Sequence, residues 1–307
     1  MSQQNTILVT AANGNVGSSL SRQLLDQGFN VNALVRNTES KIARDLEKRG
    51  AKIFKGDFDD FSSLQKASEG IWGVFINSNP IPGTLDELRH NTSIIKAAKE
   101  AGAKFGVYMS VMMAERKDEF PGLSPQHESY KYWESKHGTE KALQEAGFEH
   151  WTILRPGMFI SNFFGPIASF LWPTLQKQHV ILSPLAPTVT QPLIDTDDVA
   201  KYAAAAFADP NTFHGLAIDV ASEEVTLENF AKLITDIVGV EVTVEHISIE
   251  EAARRGVTSR IAGWHSWIRA LNYRIDYERL QKFPIKSATV AEYLKKNKAS
   301  VAEFLSA

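Results

Sequence analysis

Cysteine is absent from all 307 residues. That excludes disulfides, thiolate metal sites and a cysteine nucleophile. No apolar run approaches the roughly 20 residues that span a bilayer. Positive charge is not in excess: 33 Lys and Arg stand against 36 Asp and Glu, a net charge of -3. No basic field therefore draws nucleic acid. The opening Met1-Ser2-Gln3-Gln4-Asn5 lacks the basic and apolar regions of a signal peptide. These absences lead to the expectation of a cytoplasmic protein with no membrane contact and no direct nucleic-acid partner. Repeats, low-complexity tracts and long linkers are also missing. What is present is ordinary for a globular chain, with 43% hydrophobic and 22% charged residues. The length allows one large domain or two smaller ones.

The most informative stretch is Ile7-Leu8-Val9-Thr10-Ala11-Ala12-Asn13-Gly14-Asn15-Val16-Gly17. It reads as an apolar strand, a tight turn and the start of a helix that carries Leu20, Leu24 and Leu25 on one face. Such a turn brings backbone N–H groups to a phosphate at a helix N-terminus, where the dipole favours an anion. Thr10, Ala11, Asn13, Gly14, Asn15, Val16 and Gly17 are the expected diphosphate holders. The dinucleotide fingerprint asks for three glycines; here the first is Ala11.

Apolar runs then alternate with helical patterns, the sign of a parallel sheet covered on both faces. Strands are expected at Asn30–Val35, Lys52–Lys55, Gly73–Asn77 and Phe105–Ser110, with helices between them ending near Gly28, Gly50 and Gly102. Right-handed crossovers leave a doubly wound sheet, with a ligand outside the carboxyl ends of its strands. The expected architecture is α/β: a Rossmann-type domain over residues 1–155. A smaller α+β substrate or lid region over 156–307 follows, with some segments returning to the sheet.

Arg36 lies about 20 residues past the turn, at the end of the second strand. An acidic residue there would hold the ribose hydroxyls of NAD; an arginine suits the 2′-phosphate of NADP. The alternative is a solvated surface arginine. Asp57 is either a loop cap or, with Phe58, part of an adenine pocket. Asn77 and Ser78, at the end of the fourth strand, are turn residues or cofactor contacts.

Tyr132 and Lys136 are four apart on an expected helix opening at Tyr130, so they share one face. A tyrosine that acts as an acid near neutral pH needs a lowered pKa, and a neighbouring ammonium lowers it. Ser110, closing the fifth strand, could orient a substrate oxygen. The alternative has Tyr132 packing on the sheet while Lys136 only touches the cofactor ribose.

The chain resembles the NmrA-like family of atypical short-chain dehydrogenase/reductases. The residues that carry the resemblance are the Ala11–Gly17 turn, Val35-Arg36-Asn37, Gly56-Asp57-Phe58-Asp59-Asp60 and Trp133-Glu134-Ser135-Lys136. Trp151-Thr152-Ile153-Leu154-Arg155-Pro156-Gly157-Met158-Phe159-Ile160-Ser161-Asn162 is the most family-specific segment. The resemblance implies NADP(H) on a Rossmann fold, with Lys136 near the nicotinamide ribose. It also implies the Gly157–Asn162 segment near the nicotinamide, with Pro156, Gly157, Met158 and Phe159 as cofactor contacts. Quinone reductases and triphenylmethane dye reductases are the nearest functional analogues. Tyr132 stands where many members, including NADP-sensing regulators, lack a tyrosine, which favours an enzyme over a sensor.

Beyond Gly157, the run Phe159, Phe163, Phe164, Ile167, Phe170, Leu171 and Trp172 is core, a pocket wall for a flat apolar substrate, or both. Met112 and Met113 extend the idea of an apolar pocket. Asp195-Thr196-Asp197-Asp198 reads as a helix cap rather than a metal site. Thr226 is expected to cap a helix ending at Gly239, followed by a strand over 240–247. Ser248 and Glu251 match a capping box. Trp264, Trp267, Ile268 and Leu271 read as packing, with His265 exposed or satisfied in the core. Thr289 opens an expected last helix. The functional expectation is an NADPH-dependent reductase with Tyr132, Lys136 and Ser110 as its catalytic set. Its substrate would be small and apolar or aromatic, no metal is called for, and a homodimer is allowed. The competing expectation is an NADP-sensing regulator without turnover.

Overall fold

The computed structural model describes residues 5–307; Met1-Ser2-Gln3-Gln4 lie outside the described residues. Two compact units emerge. Among the described residues, the first comprises residues 5–117, 130–155 and 199–219. The second comprises residues 118–129, 156–198 and 220–307.

The first unit is built on β1 (Thr6–Val9), α1 (Asn15–Asp26), β2 (Asn30–Val35), α2 (Lys41–Lys48), β3 (Lys52–Lys55) and α3 (Phe61–Ser68). β4 (Gly73–Ile76), α4 (Asp86–Glu100), β5 (Phe105–Met109), α5 (Tyr130–Glu145) and β6 (His150–Pro156) complete the alternation. The seven-stranded sheet runs Leu216–Val220, β6, β5, β4, β1, β2, β3. β1 pairs in parallel with both β2 and β4, so the strand order reverses beside β1. That is the switch point where a doubly wound sheet opens a crevice at its carboxyl edge. Sequence explains the depth of this sheet: Ile7, Leu8 and Val9 are fully buried, as strands covered on both faces require. Leu8, Val74, Ile76, Ile94, Tyr108 and Ile153 share one apolar cluster that joins strands to α4. The expected strands at Asn30–Val35 and Lys52–Lys55 agree with the observed bounds.

The second unit holds a three-stranded sheet, Glu223–Thr226 beside Thr190–Ile194 beside Met158–Phe159. It also holds a two-stranded parallel pair, Thr243–His246 with Val180–Ser183. The expected strand over 240–247 is thus shorter. Phe163 stacks on Trp172 at 4.4 Å and meets Phe230 at 4.4 Å, so the aromatic run there is largely core. Phe170, 52% exposed, and Ile167 of the same run are exceptions, and Phe159 and Phe164 are half-buried. Thr226 caps the helix Leu227–Val238 by accepting from the Asn229 N–H. Ser248 accepts from the Glu251 N–H at 3.1 Å. Thr289 and Glu292 form a complete capping box, but the helix they open is not the last: Lys298–Ser306 follows. Trp267 stacks on Phe120 at 4.6 Å and donates to the Pro121 carbonyl, and Trp264 donates to Gln191, which fits packing. Among the described residues, no helix is long and apolar enough to cross a membrane.

Candidate cofactor and active site

At the switch point the turn after β1 is held open by Thr10. Its hydroxyl donates toward the Phe75 and Asn77 carbonyls at 2.8 and 2.9 Å, and accepts from the Asn77 N–H. The position of the missing glycine is strained: Ala11 has φ 48°, in the left-handed region. Gly17 explains why the third glycine stays. A Cβ there would sit 2.4 Å from the Ala11 carbonyl oxygen. The start of α1 is therefore packed directly on the turn. Its N-terminus has Gly14 as cap, no side-chain cap bond and no acidic residue in the first turn. The free N–H groups and positive dipole end suit an anion.

Beside this turn lies a pocket of about 210 Å³. Ala11, Asn13, Arg36, Asp57 and Phe58 line it, five of the residues expected at the cofactor, and Arg36 is exposed. Asn79, Ile81 and His90 also line it and were not foreseen. His90 Nε2 lies 3.1 Å from an Asp59 carboxylate oxygen, and its ring is 5.6 Å from Phe58. His90 lies on α4, and nothing in the sequence singles it out. Asp57 fills its bland role as well, accepting from the Asp59 N–H at 3.0 Å. Gly56 leaves no room for a side chain beside Leu34 and Ser63. Asn77 and Ser78 are buried behind the turn, with the Ser78 hydroxyl donating to the Glu87 carbonyl.

The chemical residues gather on α5 and the end of β5. Lys136 Nζ stands 5.8 Å from the ring centroids of both Tyr132 and Tyr108. Its ammonium donates to the Met109 carbonyl at 3.4 Å and pairs with Glu87 at 2.7 Å. Burial opposes its charge, but Glu87, Tyr108 and Tyr132 together outweigh burial and hold its pKa above the ordinary lysine value. Tyr132 is half-buried. Ser110 is tied elsewhere: its hydroxyl donates to Glu140 at 2.6 Å. Glu140 in turn receives a two-pronged bond from Arg155, at 2.9 and 2.6 Å. Arg155 also reaches Glu115 at 3.0 Å, whose carboxyl is pushed up by burial against the pull of Arg155. Glu87 and Glu140 are the residues that sequence reasoning missed. Met112 and Met113 are fully buried.

Pro156, Gly157, Met158 and Phe159 belong to the second unit. There the Gly157 N–H donates to the Val220 carbonyl, and Met158 and Phe159 pair with Leu193 and Ile194. In the acidic run, Asp195 accepts from the Asp197 N–H and Asp198 accepts from the Ala288 N–H. Those bonds are capping and loop bonds.

Known proteins place this arrangement. The NmrA-like oxidoreductase himF of Aspergillus japonicus is 37% identical over 166 residues, spanning 52% of this chain and 48% of that protein. The chain thus matches about half the length of that relative. The fold is that of the quinone oxidoreductase QOR2 of Escherichia coli, solved with NADPH (TM-score 0.74, 23% identity, 94% of this chain and 99% of that one). It is equally that of NmrA, a negative transcriptional regulator solved with NAD (TM-score 0.76, 20% identity, 98% of this chain and 97% of that one). The NmrA-like family profile covers residues 3–300, so the chain belongs to the NmrA-like family.

Proposed function

We propose that this chain is a cytoplasmic, NADPH-dependent reductase acting on a small apolar or aromatic carbonyl, quinone or conjugated acceptor. The observation that carries the reading is the pocket shared by Arg36 and the Ala11–Asn13 turn, next to an uncapped helix N-terminus. Its donor set fits a phosphorylated dinucleotide. Backbone amides from Thr10 to Gly17 would hold the diphosphate, Arg36 the 2′-phosphate, and Asp57 with Phe58 the adenine side. Asn77 and Ser78 would support the turn. Pro156 to Phe159 would meet the nicotinamide, as the family resemblance implies. The bound cofactor supplies the hydride.

The chain's own residues then handle the proton. The Tyr132 hydroxyl gives its proton to the substrate oxygen. The Lys136 ammonium stands beside the ring, 5.8 Å from its centroid, where a positive charge faces the oxygen that has given up its proton. Ser110 has its proton engaged by Glu140, so in this geometry its hydroxyl has no proton to offer a carbonyl or quinone oxygen, and the orienting role expected of it would require that bond to turn. The relatives named as an oxidoreductase and a quinone oxidoreductase support this reading. The test is NADPH oxidation with a panel of quinones, dyes and aldehydes. Tyr132→Phe is expected to lower turnover by roughly 10²-fold or more. Unchanged turnover in that variant would remove Tyr132 from the mechanism.

A second reading is an NADP-sensing regulator. The inward engagement of Ser110 by Glu140 and of Lys136 by Glu87 favours it, as does the fold likeness to a transcriptional regulator. Cofactor binding with no turnover across the panel, and cofactor-dependent capture of a partner, would select it.

A further inference from the structure

The ammonium expected at the cofactor is already paired within the protein. Lys136 and Glu87 are both deeply buried, with side chains 6% and 2% exposed, and their charged atoms lie 2.7 Å apart. They come from different helices. Glu87 sits in the first turn of α4, and Lys136 lies on α5. The helices approach closely because α5 carries Gly138, where a Cβ would press on Leu88 at 3.1 Å. Asn91 donates to Thr139 across the same seam. The Ser78 hydroxyl bonds the Glu87 carbonyl, tying the start of α4 to the end of β4. The charged and titratable groups facing Lys136 are Glu87 from α4, Tyr108 from β5 and Tyr132 on its own helix.

We propose that Glu87 is a positioning residue for Lys136: its carboxylate fixes the ammonium at the end of β5 and preserves its charge in a dry site. The cofactor role of Lys136 rests on the reading above; the pairing does not. Without Glu87, burial acts on Lys136 with its strongest opponent gone, and the ammonium loses its proton at a lower pH. A buried ion pair also couples its partners, because removing either one strands the other.

Two measurements test this on the full chain. The first is independent of cofactor: urea unfolding of wild type, Glu87→Gln, Lys136→Met and the double variant. The expected result is strong non-additivity, the double variant being more stable than the sum of the singles requires. Additive effects would overturn the proposal whether or not nucleotide binds. The second is NADPH titration of Glu87→Gln and Glu87→Asp between pH 7 and 9.5. Wild type should hold its affinity across this range. Glu87→Gln should weaken about tenfold toward the alkaline end, and Glu87→Asp, which keeps the charge, should largely restore the profile. A Glu87→Gln curve parallel to wild type would overturn the positioning role. Wild type that binds no NADPH while the unfolding cycle stays non-additive would sink the reductase reading and leave the pairing standing.

Discussion

Ala11 and Gly17 occupy the same turn and make opposite demands. Ala11 is an alanine held at φ 48°, which costs about 1 kcal/mol that glycine would not incur. Ala11→Gly should therefore change stability by no more than about 1 kcal/mol, with the entropy of a freer unfolded chain offsetting part of the relief. Thermal melting would check it; a loss above about 2 kcal/mol would show that the alanine methyl is needed. Gly17→Ala places a methyl 2.4 Å from a backbone oxygen that cannot rotate away. It should destabilise the fold and abolish nucleotide binding together. Arg36 is different again, an exposed side chain lining the pocket with no bond to lose within it. Arg36→Ala should weaken NADPH by about tenfold to a hundredfold and leave NADH nearly unchanged. These residues were legible in the sequence because a turn is local: strand, small residues, helix. Glu87, Glu140 and His90 were not, because their partners lie far along the chain, 30 residues away for Ser110 and Glu140. Periodicity says which face of a helix is buried, not which charge waits there.

α5 is held by buried charge as well as by apolar contact. Its Glu140 is 2% exposed and binds both Ser110 and Arg155. Arg155→Met would strand Glu140 without its cation, and the expected loss is roughly 3–5 kcal/mol. The double replacement Arg155→Met with Glu140→Leu should recover much of it, measured by urea unfolding. In the second unit, the helix Ser259–Ala270 buries His265, whose pKa is pulled down to about 3 by burial. An unfolded histidine takes up a proton near pH 6.5, and the folded one does not until about pH 3. The unfolded state therefore binds more protons across that window, so this group leaves stability intact above pH 6.5 and erodes it as pH falls. His265→Phe should flatten the acid side of the stability curve by on the order of a few kcal/mol, followed by melting from pH 7 to pH 4. A variant curve with the wild-type slope would contradict a neutral buried imidazole. Short elements hid from the sequence: the strand Met158–Phe159 has two residues, too few for any alternation to register.

The chain as a whole was readable at its first sheet and less so afterwards. Five strands of the seven-stranded sheet, separated by amphipathic helices, were legible as apolar runs and leave few topologies once right-handed crossovers are imposed. The second unit joins residues 118–129, 156–198 and 220–307, its apolar cluster drawing on the last two stretches, and such long-range assembly has no periodic signature. Function inherits the same division. The cofactor end is local and legible, whereas no local stretch of sequence specifies the acceptor or a homodimer. The account rests on NADPH lying along the turn after β1 with its 2′-phosphate at Arg36. Titration of the purified protein with NADPH and NADH, followed by nicotinamide fluorescence, addresses it. Saturable binding with NADPH preferred at least about tenfold, and the preference lost in Arg36→Ala, is the result expected. Equal or tighter binding of NADH, or no binding of either, would contradict it.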